Sequence, residues 1–489
     1  MLKIIIGDFM NNKSIWEDQV KIKKDKSNKI INNTDILIIG GGITGLTTAY
    51  FLKDSNRKVT LIDKSSIGMG ITSKTTAKVT YLQQDIYSKL SKSFNKKISK
   101  SYLTSQIYAI KLMLEIIKNE NIKCDLEECS SYIFTKEEKN VKKIEKEKEI
   151  LEEFGIDCFL GDSIPIKDFP VISSLRVNDT YTINPLKYID GIKKSIKDKV
   201  NIYENILAKN ISFKDDKIYV ETNTTTFICN DVIICNWYPF FIFPGLIPIK
   251  TYIKREYVNV AKYKHNRHFT AINIDNNLHS IRFYKDYIIY GSNSHRLTNK
   301  INYQENYLKS RSDFKRLFSK EPEYTWMNQD VMSNDYLPLI GRVNTNKHVF
   351  IATAFNAWGM TNATLAGNLL SDLVLNKENI YEDLFSPRQI SMPSIINSFI
   401  GIFHYAKVYI QTTIKRNPVF YNDKIYTVKI NGKYYGVYID NYDKKHIVYL
   451  KCPHMKCNLV FNNYEKTWDC PCHGSRFDID GNIINGPSK

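Results

Sequence analysis

Residues 35–63 read DILIIGGGITGLTTAYFLKDSNRKVTLID, and this stretch decides the fold. An apolar strand, Asp35 to Ile39, runs straight into Gly40-Gly41-Gly42-Ile43-Thr44-Gly45. A helix-like stretch follows to about Asp54, and a second strand, Lys58 to Ile62, ends in Asp63. A bare G-x-G-x-x-G carries little weight, but here strand, turn, helix, strand and terminal acid stand in order. Gly40 permits the tight turn, Gly42 lets a pyrophosphate approach the backbone, and Gly45 lets the helix pack against the strand. With Ile43 and Thr44 opening the helix, its N-terminus offers unpaired N–H groups and a positive dipole end to phosphates. Asp63 falls where a ribose-binding acid belongs. The pattern predicts a dinucleotide-binding βαβ unit.

The neighbouring segments bear on which dinucleotide. GMGITSKTTAKVT (Gly68–Thr80) is rich in glycine and threonine and follows the acid directly. Far downstream, WMNQDVMSNDYLPLIGR and VFIATAFNAWGMTNATLAGNLLSDLVL fall within Trp326–Leu375. Both resemble segments of the D-amino-acid oxidase/glycine oxidase family of FAD enzymes. The resemblance implies that the first is a flavin-contacting loop, with Thr75 and Thr76 at the cofactor. It implies that the second runs from a strand (Val349–Thr353) through a glycine turn into a helix facing the flavin pyrimidine. Gly359, Met360 and Thr361 would open that helix, where N–H groups stabilise negative charge on the reduced ring. IYENILAKNISF (Ile202–Phe213) resembles the family's strand that borders the adenine near Ala208, and NDVIICNWYPF (Asn230–Phe240) its strand returning to the nucleotide fold.

The resemblance spans about 14–388 and is thin over 85–195 and 246–325. It implies an α/β Rossmann-like FAD-binding domain, built from about 30–84, 196–245 and 326–376. An α+β substrate domain with a mixed or antiparallel sheet lies between these parts. The charged stretch Ile110–Phe154 reads as a solvated helical face. PIKTYIKREYVNVAKY and SIRFYKDYIIYGSNSHR alternate like strands of the substrate sheet. Arg282 and His295 lie there as the catalytic candidates, Arg282 because a guanidinium near a flavin clamps a substrate carboxylate in a bidentate pair. A lone arginine in a strand is more often a surface residue.

The tail changes character. KIYTVKINGKYYGVYIDNYDKKHIVYL shows short alternating runs around Asn431-Gly432, a two-residue turn signal. KCPHMKCNLVFNNYEKTWDCPCHGSRFDIDGNIINGPSK then gathers four of the nine cysteines between Cys452 and Cys472. Two clusters stand out, Cys452-Pro-His454 and Cys470-Pro-Cys472-His473. Cysteine and histidine at short spacing also suit tetrahedral zinc, although six candidate ligands are too many for one ion. C-x-H followed by C-x-x-H at this separation resembles the Rieske iron–sulfur protein, a small all-β domain. The resemblance implies a [2Fe-2S] cluster with Cys452 and Cys470 as sulfur ligands and His454 and His473 as nitrogen ligands. It further implies a disulfide between Cys457 and Cys472, as in the cytochrome-bc-complex type. Ser475 matches a serine that bonds a cluster sulfide in high-potential members, whereas Phe477 replaces a tyrosine that bonds a ligand sulfur. Losing that bond lowers the expected potential. Related modules continue past the position of Gly486, so a less closed cluster fold is expected. The expected domains are thus 14–388, a linker helix over 389–416, and a Rieske domain over 417–489.

Composition bounds the remaining possibilities. The 489 residues carry a net charge of +18, but only twelve of the 69 basic residues are arginine, and the lysines are spread along the whole chain. A nucleic-acid binder concentrates such charge on one face, so no nucleic-acid partner is expected, and attraction to acidic partners or membrane surfaces is the reserve reading. No window is apolar enough to span a membrane. In SIINSFIGIFHYAKVYIQTTIK (Ser394–Lys415), Ile395, Phe399, Ile402, Ala406 and Tyr409 recur at helical spacing. This predicts an amphipathic helix packed on a neighbouring domain, with peripheral membrane contact as the second reading. A cytoplasmic protein is expected.

The two resemblances together imply an oxidoreductase that oxidises an amine or amino acid at a C–N bond and passes electrons from FAD through the cluster to an unknown one-electron partner. A flavin/iron–sulfur carrier or redox sensor without a small-molecule substrate is the competing class.

Overall fold

The computed structural model describes residues 13–23, 29–240, 247–265, 268–297, 302–343, 346–389, 391–413 and 424–487. The opening stretch forms the strand Ile36–Ile39, the helix Ile43–Leu52 and the strand Val59–Ile62, with Ile36 opposite Val59 and Ile39 opposite Ile62. Both strands are buried at every position, as parallel strands covered on both faces must be. They sit in a six-stranded sheet of order Leu339–Val343, Asn346–Thr353, Asp231–Ile234, Ile36–Ile39, Val59–Ile62, Val200–Tyr203. Only Leu339–Val343 runs antiparallel to its neighbour. Three chain segments distant in sequence therefore build one nucleotide-binding layer.

The second large sheet has nine strands and is mixed, consistent with the expected α+β substrate domain. Its order runs Tyr324–Ser333, Thr251–Lys262, Tyr287–Arg296, His279–Tyr284, Phe269–Asn273, Glu127–Thr135, Ser173–Thr182, Lys78–Val79, with Cys158–Gly161 also on Ser173–Thr182. The helical reading of 110–154 is corrected here. Helices Lys96–Asn119 and Val141–Glu153 flank a strand, Glu127–Thr135, which joins Phe269–Asn273 in parallel and Ser173–Thr182 in antiparallel. Cys129, Ser131 and Ile133 alternate inward along it, a period-two signal hidden by the lysines and glutamates that follow.

The tail folds into a three-stranded sheet (Ile425–Ile430, Lys433–Ile439, Lys445–Tyr449) and a four-stranded one (Val460–Asn462, Thr467–Asp469, Arg476–Phe477, Ile483–Asn485). Asn431 (φ +47°) and Gly432 (φ +76°) make the hairpin turn, both in the left-handed region that this turn requires. Trp468, Phe461, Leu450 and Leu459 form the core between the sheets. Ile483–Asn485 closes the smaller sheet against Arg476–Phe477.

This small domain docks on the strand Thr251–Lys262. Arg255 Nη1 donates to Asp469 Oδ2 at 2.8 Å with both side chains almost completely buried. Tyr307 stacks on Tyr464 with centroids 3.6 Å apart. Gly474 (φ +67°) meets Ile253, Gln329 and Leu297 so closely that a side chain there would need the interface to move. A buried ion pair adds little net stability, because both charges lose their water.

The linker helix spans Met392–Thr413, but it is packed the opposite way from the expectation. Ser394, Ser398 and Gly401 face the protein, while Ile395, Phe399, Ile402 and Ala406 stand exposed. The side chain of Tyr409 and residues 414–416 lie outside the described residues. Asn334 holds the inward side: its amide donates to Ser398 Oγ at 3.1 Å, and its backbone carbonyl accepts from Asn397 at 2.7 Å.

Candidate functional site

A long cleft runs across the C-terminal edge of the six-stranded sheet. Gly40, Gly42, Ile43, Thr44, Asp63, Thr75, Thr76, Ala208, Gly359 and Met360 line it, so ten expected cofactor residues from four separate segments meet around one space. Gly45 lies behind it: a Cβ there would fall 1.8 Å from the Gly40 carbonyl oxygen, so the helix sits against the turn only because the position is bare. Thr361 also turns away, donating to Gln106 Oε1 at 2.6 Å. Asp63 accepts from Gly41 N–H (2.7 Å) and from the Ser65 backbone and hydroxyl (2.7 and 2.9 Å). Burial pushes its carboxyl above the usual range against these bonds.

Arg282 does not line the cleft. Its guanidinium donates to the carbonyls of Thr76 (2.5 Å), Ala77 (2.8 Å) and Ile183 (2.7 Å). It thereby pins, from behind, the loop that carries Thr75 and Thr76. Burial lowers its pKa to about 10. His295 is also outside the cleft; its Nδ1 pairs with the Asn293 carbonyl at 3.1 Å and its ring packs on Tyr257. The structure does not bring these two catalytic candidates to the cofactor space.

A second cavity opens beside the first and shares Thr75, Thr76, Glu256, Asp330, Ala357 and Met360 with it. Six ionisable residues line it: Lys78, Lys254, Arg255, Glu256, Asp275 and Asp330. The Arg255 guanidinium is engaged by Asp469, and the Asp275 carboxylate by the Thr135 hydroxyl and the Lys136 N–H, which leaves Lys78, Lys254, Glu256 and Asp330 as the set of interest. Lys254 and Glu256 alternate with Ile253, Arg255 and Tyr257, so one strand turns one face to this cavity and the other to the small domain. Asp330 is paired in register with Lys254 on the neighbouring strand. Burial drives Lys78 down to about 7, its Nζ bonding Ser280 Oγ and, at 3.3 Å, the Ala271 carbonyl. Burial likewise raises the carboxyls of Glu256 and Asp330, and Glu256 adds to the rise at Asp330. Sequence reasoning missed this set; the alternation in KREYV was legible, but the neighbours across the sheet were not.

In the small domain two similar loops face each other. Lys456 N–H donates to the Cys452 carbonyl (2.9 Å), and Gly474 N–H to the Cys470 carbonyl (3.0 Å). Their tips bring the His454 and His473 rings to 4.9 Å, with the Cys452 and Cys470 thiols buried beneath, and Cys457 and Cys472 form a disulfide joining the loops. Burial lowers His473 to about 3, which keeps the neutral, ligating form. Tyr238, also missed, presents its ring to both imidazoles, 6.2 Å from His454 and 5.7 Å from His473, and it lines the long cleft. Asn485 and Gly486 of the small domain line that cleft too.

The family model "FAD dependent oxidoreductase" matches residues 35–373. The chain belongs to this FAD-dependent oxidoreductase family. The model of the Rieske [2Fe-2S] domain matches residues 412–489, so the zinc reading of the cysteine–histidine clusters falls away. The chain is 32% identical over 470 residues to the putative Rieske 2Fe-2S iron-sulfur protein YhfW of Bacillus subtilis, covering 93% of this chain and 92% of that protein. Among solved structures, L-proline dehydrogenase from P. horikoshii aligns with TM-score 0.62 at 17% identity, over 73% of this chain and 98% of that one. Glycine oxidase from Geobacillus kaustophilus aligns with TM-score 0.60 at 14% identity, over 74% and 100%. This FAD-dependent oxidoreductase carries its Rieske domain against the flavin domain. The residues present fit both groups: a bare glycine turn opening a helix for the FAD pyrophosphate, and two thiols with two close imidazoles for the cluster.

Proposed function

We propose that this oxidoreductase takes two electrons from a C–N bond of an amine or amino acid and hands them on singly, through its Rieske domain, to a one-electron partner. The observation that carries this reading is Tyr238, which borders the flavin cleft and touches both cluster-type histidines. When bound, FAD supplies the two-electron acceptor and the Rieske cluster the one-electron relay. The charges of the second cavity suit the substrate class. Glu256 and Asp330 offer acceptors to an ammonium, and Lys254 offers a positive partner to a carboxylate. Lys78, held near neutrality, takes up the nitrogen-bound proton released as the C–N bond is oxidised. Relatives of like fold include enzymes named for glycine and L-proline, two amino acids.

Anaerobic mixing of the holoprotein with a panel of amino acids and N-methyl amines tests this. The expected result is bleaching of the flavin band by one of them, followed by the EPR signal of a reduced Rieske cluster. Silence across the panel, with both centres reduced by a cellular electron donor, would overturn the enzyme reading in favour of a carrier or sensor.

A further inference from the structure

The helix Met392–Thr413 wears its apolar side outward. Ser394, Ser398 and Gly401, at spacing four and three, are buried against the protein, held through Asn334. On the opposite side, Met392 (68% exposed), Ile396 (57%), Phe399 (70%), Phe403 (79%) and Ile410 (46%) make one continuous stripe. Their spacing of four, three, four and seven keeps them on a single line down the helix. A helix that met only water would show the reverse, and large exposed apolar patches mark interaction surfaces.

We propose that this helix seats the protein on an anionic lipid bilayer, lying in the surface plane with the stripe in the acyl boundary. Charge selects the occupant. Residues 386–424 hold five basic residues, Arg388, Lys407, Lys415, Arg416 and Lys424, against one acid, Asp423, and Met392–Thr413 contains no acid at all. Lys407 is exposed at the edge of the stripe, where a long side chain reaches the headgroups while its stem stays apolar. The whole chain carries +18, so a second copy laid against this face meets like charge, whereas an acidic membrane meets opposite charge. No helix among the described residues is long and apolar enough to cross a membrane, so the contact is with the surface.

Flotation of the FAD- and cluster-loaded full chain with vesicles provides the test. The protein is expected to float with vesicles of equal parts phosphatidylglycerol and phosphatidylcholine, and more weakly with phosphatidylcholine alone. Phe399→Ser with Phe403→Ser should reduce partitioning by roughly tenfold per phenylalanine. Both side chains are exposed, and unchanged flavin and cluster spectra verify the fold. Lys407→Glu, also exposed, should weaken binding to the anionic vesicles only. Failure to float on anionic vesicles, or unaltered flotation of the double serine variant, overturns the proposal. Equal binding to phosphatidylcholine alone overturns the anionic selection. A dimer that the serine pair dissolves, without flotation, assigns the face to a second copy instead.

Discussion

Lys78 sits with its amine buried among Ser280 and the Ala271 carbonyl, and burial favours its neutral form down to about pH 7. An unfolded lysine holds its proton to about 10.4. The unfolded chain therefore binds more protons between those values, and the cost of burying Lys78 charged, present below about pH 7, is relieved as pH rises. The same sign governs its proposed role as proton acceptor. Flavin bleaching by substrate is expected to accelerate as pH rises through about 7. Lys78→Met should lose that limb and slow the step by roughly 10²-fold or more in stopped-flow. In the other domain, Phe477 is buried opposite Trp468, and the sequence departs there from the tyrosine of related Rieske proteins. Phe477→Tyr adds a hydrogen bond worth about 0.5–1.5 kcal/mol. Redox titration should show the cluster midpoint rising by roughly 20–60 mV. An unmoved midpoint would sink the assignment of a sulfur partner to this position. Arg282 teaches a different lesson at the same scale. Its strand was legible from alternation, but its three carbonyl partners come from segments about 100 and 200 residues away, so its position as a loop clamp was not.

Among elements, the glycine turn was the most legible, because each of its requirements is local: a strand, a sharp turn, a helix start and an acid. Gly45→Ala places a methyl 1.8 Å from the Gly40 oxygen, which forces the helix off the strand. The purified variant should contain little or no FAD, read from the ratio of flavin to protein absorbance, and full occupancy would contradict the turn's assignment. The strand Thr251–Lys262 was legible only in period. Alternation separates Lys254 and Glu256 from Ile253 and Arg255, yet it cannot tell that one face meets a cavity and the other a second domain. The helix Met392–Thr413 shows the same gap more sharply. Periodicity finds the stripe, but which side faces the protein is set by residues distant in sequence, such as Asn334, which donates to Ser398 and accepts from Asn397. Hidden strands such as Glu127–Thr135 were lost for a related reason, since their partners set their state and their neighbours in sequence suggested another.

For the whole molecule, the question is whether the two redox domains act as one body. Asp469 is buried between Arg255 of the flavoprotein part and Arg476 of its own domain. Asp469→Ala leaves Arg255 charged without its partner across the interface and should cost about 3–5 kcal/mol, whereas Arg255→Met with Asp469→Leu should recover most of that loss. Denaturant melts followed separately by flavin and by cluster absorbance check this, with the single variant separating the two transitions. Tyr238 then tests whether the shared interface carries electrons. Its hydroxyl lies 3.5 Å from Thr251 Oγ1, while its ring stands nearly perpendicular to that of His454. Tyr238→Phe keeps the ring and should leave the delay between flavin bleaching and the cluster EPR signal nearly unchanged. Tyr238→Leu removes the ring and should lengthen that delay several-fold, while substrate-driven bleaching proceeds at the native rate. If the leucine variant transfers at the native rate, the ring is only packing and the electrons cross elsewhere. If bleaching slows as well, the residue serves the flavin cleft rather than the passage to the cluster.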